Sequence, residues 1–379
     1  MSARYGELQS EALRLEESEK ALRARILRAP VMEERAEPRD TRLHLRGGFL
    51  TLGEPVAPDV PAALPPLASD PSKRRRTRLD LARWLVDPAN PLTARVAVNR
   101  VWERVFGRGL VATSDDFGTR GEPPTHPELL DWLALDFVEH GWSFRHLHAL
   151  ITSSATWRAA SGVRPGDFDL DPDNRLLARG AKYRLDAETV RDVALAASGL
   201  LVQKVGGPSV MPPQPDGVWA PVYSSDTWRA DTGPDRYRRG LYTFWKRSSP
   251  YATFVAFDAP SRELACTRRA RTNTPLQALA LLNDPAFVEC ADALGERMRR
   301  ASAASDVERL RFGFRACTAR APDDAELAVL QRLLASERAD LRPPPAEPGA
   351  PPGAHDAERA AWMRVANVLL NLDETITRH

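Results

Sequence analysis

Cysteine is nearly absent from this chain: three in 379 residues, Cys266, Cys290 and Cys317. They are odd in number and far apart, with no C-x-x-C, no zinc-finger spacing and no C-x-x-C-H haem attachment site. A disulfide framework and a haem held by this chain are therefore excluded, and three buried or free thiols are expected. Long apolar runs are missing too; none approaches the roughly 18 residues of a membrane span. The opening "MSARYGELQSEALRLEESEKALRARIL" has no hydrophobic signal core, so the chain reads as soluble and without an export signal of its own. An excess of one charge is also lacking. Lysine and arginine number 53 against 51 acids, a net charge of +2, which argues against a dedicated nucleic-acid binder. G-x-S-x-G, P-loop, Rossmann and H-E-x-x-H fingerprints are absent, as is any repeat of fixed period.

What is present is mostly helical punctuation. Residues 7–28 are rich in Glu and Arg, with Leu8, Leu15 and Leu22 seven apart, and read as a short helical arm or a solvated helix. "TRLHLRGGFLTLGEPV" alternates and turns at Gly47-Gly48, the pattern of a short strand or hairpin. A proline-rich connector follows. In "NPLTARVAVNRVWERVFGRG", Asn90 is the expected N-cap, Pro91 the first helical residue and Gly107 the stop. A capping box is expected from Thr125 to Glu128, with Gly141 ending that helix. Ser143 and Asp186 are expected to cap the next two. Thr274, Pro275 and Gln277 open another, and Asp284-Pro285 restarts the chain as a further helix. Residues 159–174 read as an acidic loop and 203–237 as a long ordered loop. The fold class is mainly α: an irregular multi-helix domain with minor β content, short strands near 42–50 and 238–247, and long ordered loops. Residues 1–30 form the arm, 31–76 the strand, turn and connector, and 77–379 one helical domain with a flexible proline-rich insertion at 342–354.

Three constellations carry chemistry. Arg95 and Asn99 fall within the apolar arc of their helix, so they need polar partners. Asp115 and Asp116 supply them as a buried polar network or as the floor of a polar pocket. Trp219, Tyr223, Trp228, Arg238, Arg239, Trp245, Asp258 and Arg262 form the candidate ligand-binding set. Flat rings beside charges suit sugars, and they equally suit packing of a long loop. Arg268, Arg269, Arg271 and Asn273 precede a helix N-terminus and form a candidate anion-binding lip. His126, His140, His146 and His148 read as capping and surface residues, and no metal site is expected. "SKRRRTR" at 72–78 reads as a linker flank or a basic patch.

The blocks "NPLTARVAVNRVWERVFGRGLVATSDDFGTRGEPPTHPELLDWLALDFVEHGWSFRHLHALITSSATW", "GGPSVMPPQPDGVW", "YRRGLYTFWKRSSPYATFVAFDAPSRELACTRRARTNTPLQALALLNDPAFVECA" and "NVLLNLDETITR" resemble, in order, the planctomycete cytochrome-c-associated proteins. More narrowly, they resemble the C-terminal PSD domain of those proteins, a domain of unknown function, from about Val31 to Arg378. The resemblance implies an exported, periplasmic or cell-surface setting and a haem-bearing cytochrome-c-like domain upstream or on a partner chain. It implies no cofactor in this chain and carries over no catalytic residues. With neither C-x-x-C-H nor signal peptide, the chain reads as the C-terminal part of such a protein. The leading expectation is a non-catalytic accessory module. The alternative is a carbohydrate-binding or hydrolytic module using residues 214–262, with a polysaccharide partner; nucleic-acid binding is the least favoured reading.

Overall fold

The computed structural model describes residues 3–26, 29–68, 75–219, 226–301, 305–341 and 354–378. Tyr223 and residues 342–353 of the proline-rich insertion lie outside them. Two compact units are formed, 1–90 and 91–379.

The first unit holds helix α1 (Ala3–Arg25), whose described side chains are all exposed, Leu8, Leu15 and Leu22 included. The expected hairpin forms between β1 (Arg42–His44) and β2 (Leu52–Pro55), antiparallel, with Arg42 opposite Pro55 and His44 opposite Leu52. Left-handed Arg46 and Gly47 turn the chain between them. Helix α2 (Arg78–Leu85) starts at Thr77, whose N–H donates to Asp80 at 2.8 Å. The Trp84 indole donates to the Pro65 carbonyl at 2.6 Å, which fixes part of the connector without regular structure. The Asn90 N–H donates to the Asp87 carbonyl at 2.8 Å and its side-chain amide to the Trp84 carbonyl at 3.4 Å.

The second unit carries two cores. Helices α3 (Thr93–Phe106), α4 (Pro127–Glu139) and α5 (Phe144–Ser153) enclose the first. Val98, Trp102, Phe106, Leu130, Leu133, Phe137, Leu147 and Ile151 fill it at helical spacing. Gly107 ends α3 in the left-handed region, as its position just past the apolar pattern predicts. Thr125 does not cap α4: its N–H and hydroxyl both donate to the Leu110 carbonyl, so His126 takes the N-cap position. Ser143 does cap α5, accepting from the His146 N–H at 3.2 Å. The acidic loop contains a one-turn helix, α6 (Asp167–Leu170).

The second core joins α7 (Ala187–Ser198), α8 (Ala252–Ala256), α9 (Pro275–Asn283), α10 (Pro285–Arg300), α11 (Asp306–Thr318), α12 (Asp324–Asp340) and α13 (Ala354–Leu370). Its centre is the crossing of α10 and α13. A Cβ on Gly295 would stand 2.9 Å from the Trp362 carbonyl carbon and the Met363 nitrogen, so only glycine permits this approach. Cys290 and Cys317 are buried here and Cys266 is exposed; all three are free thiols. Burial pushes the Cys290 thiol up to about 11 and that of Cys317 up to about 12, which makes both poor nucleophiles. After α14 (Asp373–Ile376), β3 (Tyr183–Arg184) pairs antiparallel with β4 (Thr377–Arg378), a pairing without a sequence signal. No helix of the described residues is long and apolar enough to cross a membrane.

The expected strand at 238–247 is corrected. It contributes isolated bridges, Val202 with Arg238 and Val210 with Thr243, around a 3-10 turn at Gly240–Tyr242. Arg238 is fully buried and donates to the carbonyls of Pro208, Lys204 and Gly206, so this segment is bound to the 202–210 loop rather than to a sheet partner.

Asp284 caps α10 as its position predicts, accepting from the Ala286 N–H at 2.8 Å and from the Thr253 hydroxyl. Burial pushes its carboxyl above the ordinary range, and these bonds offset that only in part. The folded state therefore holds the proton more tightly than the unfolded chain. Its contribution is full below the unfolded value and is lost as pH rises through the folded one. Asp284→Asn keeps the acceptor oxygen and removes the titration. Its urea midpoint should rise relative to wild type as pH is raised above the ordinary carboxylate range, and a pH-independent difference would refute the assignment.

Candidate functional site

The segment Cys266–Arg271 faces one side of α3, where Ala97, Arg100, Val101 and Arg104 follow one another at helical spacing. Between them lies a cavity of about 660 Å³, closed further by Phe144 and His148 of α5 and by Gly107. Five arginines line it: Arg100, Arg104, Arg268, Arg269 and Arg271. Arg100 and Arg268 are exposed, and no ion pair among the described residues engages either.

The other three guanidiniums are held from beneath by the start of α7. Arg269 meets Glu188 in a two-pronged pair, Nη1 to Oε2 at 2.6 Å and Nη2 to Oε1 at 3.1 Å. Burial would raise the Glu188 carboxyl, but the Arg269 guanidinium outweighs it and holds the group below its ordinary range. Burial likewise works against the charge on Arg269, and Glu188 restores it. Asp186 stands at the N-cap of α7, yet its carboxylate pairs with Arg104 and lies 3.8 Å from Arg269 and 3.9 Å from Arg271. Arg271 donates to the Gly107 carbonyl at 3.0 Å and lies over the Tyr183 ring at 4.4 Å. A Cβ on Gly107 would stand 2.6 Å from that ring, so the left-handed glycine that stops α3 also lets Tyr183 close in.

The anion-lip residues are thus divided by the fold. Arg268, Arg269 and Arg271 face this cavity, whereas Asn273 lines a neighbouring one of about 610 Å³ with Arg271, Thr272 and Arg184. Thr272 N–H donates to Asp258 at 2.8 Å and Thr274 N–H to Gln277 at 3.4 Å, so the amides preceding the helix are occupied. Sequence reading missed Arg100 and Arg104 because the segment they face, Cys266–Arg271, lies far along the chain; their four-residue spacing on α3 was the available signal.

The buried polar network has a different membership from that expected. Asn99 donates to the Val111 carbonyl at 3.0 Å and to Ser114 at 3.2 Å, and accepts from Val111 N–H at 2.8 Å. Ser114 donates to Glu103 at 2.7 Å. Arg95 lies outside, half-buried, paired with Asp131 across to α4 and donating to the Pro91 carbonyl. Asp115 is exposed, and Asp116 faces Arg120 at 3.5 Å. The short hydroxyl of Ser114, not the flanking carboxylates, is what the dry α3 face accepts.

The aromatic set is brought together as packing. Trp219, Trp228, Tyr251, Phe254 and Trp245 form a chain of rings at centroid spacings of 5.5, 5.6, 5.1 and 6.5 Å. Each polar handle is spent internally: the indoles of Trp219, Trp228 and Trp245 donate to Ser249, Pro212 and Ser261 carbonyls. Arg239 pairs with Asp192 at 2.8 Å, and Arg262 lies over Trp245 at 4.4 Å. Asp258 pairs with buried Arg184 and accepts from Thr272.

His126 occupies the N-cap of α4, and His148 lines the arginine cavity. Cys266 lines it as well, but its thiol donates to the Arg268 carbonyl at 3.2 Å, and no bond to His148 links the two.

A family model described as PSD1, protein of unknown function (DUF1553), matches residues 77–334. Comparisons with curated proteins and with solved structures return no match.

Proposed function

Since the chain belongs to the PSD1 family, proteins of unknown function (DUF1553), we propose that it is a binding module whose arginine cavity receives an oxyanion-bearing ligand, through carboxylate, sulfate or phosphate groups. The observation that carries this reading is the imbalance in one cavity. Five guanidiniums line it, and Asp186 and Glu188 are the carboxylates that pair with them. The one acid in the lining, Glu103, is buried and accepts from Ser114. Three arginines are pre-oriented by carboxylates and two remain available, the arrangement that favours fork-shaped recognition of oxyanions. The exported, haem-domain-associated setting and the polysaccharide partner belong to the same proposal. Their support is the sequence resemblance, and a basic cavity suits an acidic polysaccharide better than a neutral one.

Calorimetric titration at low salt with phosphate, sulfate, a uronic-acid oligomer and a neutral oligosaccharide tests it. At least one acidic probe should bind, more weakly as salt is raised. Arg100→Ala and Arg268→Ala should each weaken it by about tenfold, the loss of one charged hydrogen bond. Trp219→Ala and Trp245→Ala should leave that affinity unchanged. Binding of the neutral oligosaccharide alone, abolished in the tryptophan variants, would return the function to residues 214–262. Failure of every acidic probe would overturn the reading.

A further inference from the structure

The end of α4 and the start of α5 hold a side-chain cluster that takes no part in the arginine cavity. Asp136 and His140 are four residues apart and share a face of the last turn of α4. The chain then reverses tightly. Gly141 and Trp142 both adopt left-handed backbone (φ 67° and 59°), and the Trp142 ring packs edge-on against Phe137 at 5.3 Å. Ser143 opens α5 at once and sets His146 in its first turn, facing back onto α4. The result is two stacked imidazoles, 3.8 Å between centroids and 10° between planes, each with a nitrogen near the same carboxylate. His146 Nε2 lies 2.8 Å from Asp136 Oδ2, and His140 Nδ1 lies 3.3 Å from Asp136 Oδ1. One ligand atom from each of the three residues falls within 4.8 Å of the others.

We propose that Asp136, His140 and His146 form a binding site for a divalent transition metal, with zinc as the representative ion. Two imidazole nitrogens and one carboxylate oxygen are the donor set of zinc, nickel and copper(II), not of calcium or magnesium, which take oxygen ligands. No lysine or arginine of the described residues forms an ion pair with Asp136; the side chains that approach its carboxylate are the two imidazoles. A cation would displace the hydrogen bonds that His140 Nδ1 now makes to the Asp136 backbone carbonyl at 2.9 Å and His146 Nε2 to the Asp136 carboxylate at 2.8 Å. The Asp136 side chain is 15% exposed and that of His140 49%, so the carboxylate forms the floor and the imidazoles the open rim through which an ion enters. Solvent completes the coordination. Binding releases protons and weakens as pH falls.

The test is calorimetric titration of the full chain with zinc chloride, with cobalt(II) as a spectroscopic probe. One equivalent of zinc should bind, and cobalt should develop visible ligand-field bands. His140→Gln, His146→Gln and Asp136→Asn should each weaken zinc by at least about tenfold. His140 is half exposed, so its variant keeps the fold even where His146→Gln does not, and circular dichroism of each variant checks this. Cys266→Ser, which removes the exposed thiol, should bind zinc like wild type. Absence of saturable zinc binding by the wild type would overturn the proposal. So would affinity unchanged in folded His140→Gln, or affinity lost on Cys266→Ser.

Discussion

Asp258→Ala is expected to destabilise the protein by about 3–5 kcal/mol, the cost of leaving a buried charge without its partner. Arg184 is 8% exposed and its guanidinium is paired with Asp258, with the Thr272 carbonyl at 2.6 Å as a further acceptor. Burial pulls Arg184 down from the ordinary arginine range, and Asp258 is the main group that opposes this. The same carboxylate accepts from the Thr272 N–H at 2.8 Å and hydroxyl at 2.9 Å. It thereby ties the segment before α9 to β3. Urea denaturation should show Asp258→Asn as intermediate, since it keeps an acceptor for Thr272 but not the charge. Adding Arg184→Met to Asp258→Ala should recover part of the loss, because the orphaned charge is then gone. A loss under about 1 kcal/mol for Asp258→Ala would mean that Arg184 is adequately held by carbonyls alone.

Trp362→Ala should cost about 3–5 kcal/mol. The side chain is fully buried in the second core, and the backbone of Trp362 is where α13 meets Gly295 of α10. The indole also donates to Glu358 at 2.8 Å, and Glu358 is held by Arg338 at 2.6 and 2.9 Å, so truncation removes one bond of that cluster. Trp362→Phe, which fills most of the volume, should cost clearly less in the same thermal or urea melts. If the alanine variant lost less than about 1 kcal/mol, the α10–α13 crossing would not be the centre of stability assigned to it.

Legibility in the sequence followed the range of the interaction. Gly107 as a helix stop, Ser143 and Asp284 as caps, and the Thr274–Pro275–Gln277 opening were readable because a cap is satisfied within four residues. The hairpin across residues 42–55 was readable for the same reason. Thr125 failed as a cap because its N–H and hydroxyl found the Leu110 carbonyl, 15 residues away, which no local pattern announces. The strand expected at 238–247 failed because Arg238 is caged by carbonyls some 30 residues earlier in the chain.

The candidate sites show the division most sharply. Residue types and local spacing put three arginines ahead of α9, two histidines and an aspartate around Gly141, and a dense aromatic stretch at 214–262. Composition could not say which of these face a cavity. Tertiary structure turned the tryptophans inward, gave Asp258 to Arg184, and brought Arg100 and Arg104 of α3 opposite Arg269 and Arg271, more than 160 residues away. It also stacked His140 on His146 through a turn whose left-handed Trp142 has no propensity signal. By itself the sequence determined the helical class, the local caps and the family, since these depend on short-range periodicity and ordered blocks. Which charges pair and which stay open to a ligand was decided by packing alone, because a guanidinium's partner is set by proximity in space and not by distance along the chain.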